Sequence, residues 1–149
     1  MSDSQKKNLD GELFEKLVVY GANNLKANIK TVNDLNVFPI PDGDTGDNMY
    51  MTLSGGVNAL KAVKENSVCL KTRALADGML LNARGNSGVI LSQLFAGLAN
   101  GFTDETASLE EFGKALKEGV KQALLIDIIS WVAILILGAI ITPYAPYIF

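Results

Sequence analysis

Residues 36–49 read Asn-Val-Phe-Pro-Ile-Pro-Asp-Gly-Asp-Thr-Gly-Asp-Asn-Met. Pro39 and Pro41 stiffen the approach, because each fixes its own φ and pushes its neighbour toward extended backbone. Gly43 and Gly46 allow conformations that other residues resist. Between them Asp42 and Asp44 offer two carboxylates, the donor type that hard divalent cations such as Mg²⁺ prefer, with phosphate oxygens and water completing the shell. Met49, Leu53, Val57 and Leu60 then recur at helical spacing, which predicts a helix from about Gly46 to Glu65. Its N-terminus would present free N–H groups and a positive dipole end to a phosphate. A plainer reading stands beside this one: Asp-Gly-Asp-Thr-Gly is also what a turn followed by a helix cap requires. An EF-hand is excluded, because the fifth, sixth and twelfth loop places counted from Asp42 hold Gly46, Asp47 and Leu53. Thr52 and Ser54, further along the helix, could reach a ligand but read better as a solvated face.

Further along, Ala83–Gly88 reads Ala-Arg-Gly-Asn-Ser-Gly, again just before an apolar helical segment. Its N–H groups and the Ser87 hydroxyl can cradle an anionic oxygen, with Arg84 nearby. The alternative is a helix C-cap followed by an N-cap, with Ser87 as the cap. Neither a P-loop nor a dinucleotide fingerprint is present. The remaining apolar periodicity predicts helices starting near Leu13, over Thr72–Ala83 and over Val89–Ala99. A further one follows the capping box Ser108–Glu111 and bears Leu109, Phe112, Leu116 and Val120. No stretch alternates with a period of two. The fold class is therefore all-α.

Composition narrows the chemistry. The chain has no histidine, so Ser-His-Asp, Cys-His and His-ligated metal schemes are excluded within it. Its single cysteine, Cys69, cannot pair internally, which fits a reducing cytoplasm and a small packed side chain. A net charge of −3 gives no basic footprint for nucleic acid. The polar start, Met1–Leu9, lacks the apolar core of a secretory signal. Mean hydropathy is +0.21, and the excess is local. Of the 27 residues from Ala123 to Phe149, 21 are apolar and Asp127 alone is charged.

Taken together, NVFPIPDGDTGDNM at 36–49 and ARGNSGVILSQ at 83–93 resemble the DhaL (Dak2) domain. Within that family they resemble most the N-terminal kinase domain of bacterial fatty-acid kinase catalytic subunits, and more distantly the ATP-binding subunit of dihydroxyacetone kinase. The likeness spans about residues 10–122. It implies an antiparallel barrel of amphipathic helices with ATP and Mg²⁺ at one rim. Carried onto this sequence, Asp42 and Asp44 look like the metal-binding aspartates. Thr45, Gly46, Asp47 and Asn48 look like the phosphate contacts, and Asn86 and Ser87 like a second nucleotide contact. Relatives place a further metal-binding aspartate where Val37 stands here, beside Asn36. The chemistry implied is transfer of the ATP γ-phosphoryl group, either to a fatty-acid carboxylate presented by a carrier protein or to dihydroxyacetone. No catalytic side chain is assigned.

The resemblance ends near Gln122, so the sequence predicts three parts: a polar tail (1–9), a partial nucleotide-binding domain (10–122) and a hydrophobic C-terminal helix (123–149). An incomplete barrel would leave the apolar helix faces and one side of the nucleotide pocket open. Leu124–Ile141 would be roughly 27 Å long as a helix, against a hydrocarbon core of about 30 Å. Lys114, Lys117 and Lys121 precede it, so an anchor would keep the head in the cytoplasm. Other readings are a core helix filling the space of the missing half, and an unrelated end joined to a kinase fragment. On the anchored reading the protein is a catalytically incomplete remnant that serves an interaction role.

Overall fold

The computed structural model describes the backbone of residues 8–37 and 41–141, with side chains as far as Ser130 and at Val132, Ala133 and Ile136. Six helices follow in order: α1 (Gly11–Ala27), α2 (Ile29–Asp34), α3 (Thr45–Ala62), α4 (Val68–Leu81), α5 (Gly85–Asn100) and α6 (Leu109–Ile141). Among the described residues the only β pairing is an isolated bridge, in which Leu9 and Ala107 exchange backbone hydrogen bonds of 2.7 and 2.8 Å. The all-α expectation holds.

Caps account for several boundaries. Asp10 begins α1 by accepting from the Leu13 N–H at 2.8 Å. Ser67 begins α4 by accepting from the Leu70 N–H, so this helix starts four residues before the periodicity predicts. Ser108 and Glu111 form the expected capping box at α6: the Glu111 carboxylate accepts from the Ser108 N–H at 2.7 Å, and Ser108 Oγ accepts from the Glu111 N–H at 3.2 Å.

The core is made where these helices face one another, and Leu60, Val68, Leu75 and Met79 are fully enclosed. Phe14 and Val18 of α1, Leu53 and Val57 of α3, and Leu98 and Phe102 around the end of α5 join them. Met79 is fully enclosed, whereas Met51 is 46% exposed. Helices α5 and α6 meet through glycines: a Cβ built on Gly97 would lie 2.6 Å from the Gly119 Cα. Any side chain there would force the two backbones apart.

The apolar tail is not a separate element. It continues the helix that starts at the capping box, so α6 is one rod of 33 residues, about 50 Å long. Among the described residues no helix is long and apolar enough to cross a membrane, and the expected anchor over 124–141 lies in part outside them. Charged residues at 110, 111, 114, 117, 118 and 121 fill the first half of the rod, and Asp127 interrupts the run that follows. The side chains of Trp131, Ile134, Leu135 and 137–141 lie outside the described residues, as do Pro143, Tyr144, Pro146 and Tyr147 and most of the N-terminal tail.

Several apolar side chains stay open to solvent. An apolar cleft of about 220 Å³ runs between Phe14 and Leu17 of α1, Leu94 and Phe95 of α5, and Phe112 and Leu116 of α6. Leu17 is half exposed, and Leu124, Leu125, Ile128 and Ile129 of α6 are exposed too.

Candidate functional site

The acidic loop enters α3 through a left-handed turn. Gly43 has φ +65°, a conformation that strains residues with a Cβ, and it separates Asp42 from Asp44. Both aspartates are exposed. Asp44 occupies the N-cap position of α3, yet its carboxylate makes no capping hydrogen bond. This differs from Asp10 and Ser67 at the starts of α1 and α4. The carboxylate is not spent on the helix. The Asn36 side-chain amide donates to Asp42 Oδ1, which fixes one oxygen of that carboxylate. Val37, where the resemblance implies a further aspartate, is exposed, and its side chain has no ligating atom.

The first turn of α3 is seated on α2. Asn33 Oδ1 accepts from the Gly46 N–H at 2.7 Å, and Asn33 Nδ2 donates to Asp47 Oδ2 at 2.8 Å. A Cβ on Gly46 would come within 2.6 Å of the Ile29 carbonyl oxygen, so only glycine allows this contact. Thr45 and Asn48 are half-buried on the same turn.

The second glycine turn lies against the first. Helix α5 starts at Gly85, not at Val89, so Gly85, Asn86 and Ser87 form its first turn and Ser87 is not its cap. Arg84 holds the N-cap position and makes no side-chain capping bond. Gly85 has φ +59°, and a Cβ there would lie 2.5 Å from Asn48 Nδ2. The Arg84 N–H donates to Thr52 Oγ1 at 3.1 Å, and that hydroxyl donates in turn to the Asn48 carbonyl at 2.7 Å. Thr52 is thus buried, not on a solvated face. Asn86 is exposed and Ser87 half-buried at the same rim.

Two helix N-termini whose own N-cap side chains make no capping bond therefore meet at Asn48 and Gly85, and the α3 start carries two exposed carboxylates. Their dipoles and first-turn N–H groups favour an anion, while the carboxylates favour a hard cation. Among the described residues no group of three or more acidic or thiol side chains is placed to hold a metal ion. A pair of carboxylate ligands, with phosphate oxygens and water supplying the rest, is the ordinary Mg²⁺ arrangement, and the donor set fits it. A polar cleft of about 350 Å³ between α4 and α5, lined by Arg73, Asp77 and Asn100, includes none of these residues.

Sequence reading missed Asn33 and the placement of Thr52. Asn33 lies on a helix too short to show periodicity, and its partners are 13 and 14 residues away. Thr52 acquires its role from Arg84, 32 residues on. No local signal marks either.

A family model described as the DAK2 domain matches residues 39–125. The chain is 42% identical to Protein YloV of Bacillus subtilis over 118 residues, covering 78% of this chain and 21% of that protein. It is 41% identical to an uncharacterized protein of Staphylococcus saprophyticus over 116 residues, covering 77% and 21%. To an uncharacterized protein of Staphylococcus aureus it is 41% identical over 98 residues, covering 66% and 18%. The chain spans about a fifth of the length of the curated relatives it matches.

Proposed function

The chain belongs to the DAK2 domain family, and on that premise we propose that it binds ATP with Mg²⁺ as a phosphotransferase domain of the DhaL/fatty-acid-kinase type. The observation that carries this reading is the meeting of the α3 and α5 N-termini beside Asp42 and Asp44. Asp42 and Asp44 would hold the metal. Backbone N–H groups of Thr45 and Asp47, with the Asn48 side chain, would face the phosphates, while Gly46, whose N–H donates to Asn33 Oδ1, would hold that turn in place. Asn86 and Ser87 would close the other side. When bound, the metal offsets charge on the phosphate oxygens. The protein's part is to position the nucleotide and to point fixed dipoles at it. With no histidine in the chain, the proposed chemistry is γ-phosphoryl transfer that relies on orientation and charge. The acceptors we propose are a fatty-acid carboxylate on a separate carrier protein, and as a second possibility dihydroxyacetone.

Calorimetry tests the binding step. The unaltered chain should take up ATP only with Mg²⁺ present. Asp42→Ala and Asp44→Ala should each weaken that binding at least about tenfold, about 1.4 kcal/mol. Because both side chains are exposed, thermal melting should change little. A folded chain that binds no Mg²⁺–ATP contradicts the reading.

A further inference from the structure

The two proposed nucleotide-binding turns come from distant parts of the chain, so a specific contact has to hold them at a fixed spacing. Thr52 stands at that joint. It is completely buried on α3, two turns after Asp44. Its bond to the Asn48 carbonyl is the ordinary back-bond of a helical threonine. Its second bond is not explained by the helix: Oγ1 accepts the backbone N–H of Arg84, the N-cap residue of α5, at 3.1 Å. On the next turn of α5, a Cβ at Gly88 would lie 2.3 Å from the same oxygen. Glycine at 88 lets α5 approach until the hydroxyl can reach Arg84. Both bonds of one buried hydroxyl thus end on backbone atoms at or near the proposed nucleotide contacts, at Asn48 on one helix and at Arg84, two residues before Asn86, on the other.

We propose that Thr52 is a positioning residue for nucleotide binding, its hydroxyl setting the spacing between the first turns of α3 and α5. This rests on the nucleotide reading above. Thr52 itself touches no ligand. Valine has the same shape without the hydroxyl, and it would leave the Arg84 N–H unpartnered. Serine keeps the hydroxyl and loses one buried methyl group.

The test uses the whole chain, with Mg²⁺–ATP calorimetry and thermal melting on the unaltered protein, Thr52→Val and Thr52→Ser. Both variants should melt lower by similar amounts, one through a lost hydrogen bond and the other through a small void. Affinity should separate them: Thr52→Ser within about twofold of the unaltered chain, Thr52→Val weaker by about tenfold. Unchanged affinity in Thr52→Val overturns the role of Thr52 and leaves the nucleotide reading standing. Loss in Thr52→Ser as large as about tenfold also overturns it, because stability alone would then account for the effect. Absence of binding by the unaltered chain overturns the nucleotide reading, and the role of Thr52 with it.

Discussion

Lys71 has only 9% of its side chain exposed, and its ammonium is paired with the Glu15 carboxylate across α4 and α1. A charge so enclosed depends on its partner. Lys71→Ala removes both the pair and the packed stem and should cost about 2–3 kcal/mol in urea denaturation. That is below the usual range for a broken buried pair, because Glu15 can still reach water. Lys71→Met refills the stem volume and should cost about half as much. Equal losses in the two variants would contradict a packing role for the stem. At the candidate site, residue-scale legibility divides by range. Asp42 and Asp44 can be read from the sequence because their setting is local: glycine, two carboxylates and a helix start within a few residues. Asn33 cannot, since nothing around it in the chain marks the Gly46 amide as its target. Thr52 looks like one more hydroxyl on a polar face until α5 covers it.

At the scale of elements, the start of α1 shows how a cap couples to its surroundings. Asp10 accepts from the Leu13 N–H, and Asn66 from the loop before α4 both donates to Asp10 and accepts from the Glu12 N–H. The Leu13 hydrogen bond is the main cause holding the Asp10 carboxyl below its ordinary value. A depressed carboxyl stabilises the fold while charged, so its contribution is complete above roughly pH 3.9 and fades as pH falls through the depressed value. Asn at position 10 can still accept from Leu13 but carries no charge. The melting temperature of Asp10→Asn should therefore fall less steeply below about pH 4 than that of the unaltered chain. Identical pH profiles would contradict this account of the cap. Most helices were legible from the apolar period, and their types were right. Helix α2 was not, because six residues are too few for a pattern. The early start of α5 was hidden for a different reason. Gly-Asn-Ser-Gly is a poor helix opening by propensity, and packing of Gly85 against Asn48 supplies what propensity lacks.

At the scale of the molecule, the uneven hydropathy of the sequence becomes one long helix whose first half packs on α5 and whose exposed apolar side chains continue beyond it. The all-helical class was readable, whereas the continuity of α6 was not. Composition changes at residue 123, but nothing there breaks a helix, so the boundary in sequence is not a boundary in backbone. On the proposed reading, two turns about forty residues apart form one binding site. Backbone amide NMR with stepwise addition of ATP and Mg²⁺ tests it most directly. The amides of Thr45–Asn48 and Gly85–Ser87 should shift together, with one common affinity, and only when Mg²⁺ is present. Shifts confined to one of the two turns, or none at either in a folded chain, would contradict it.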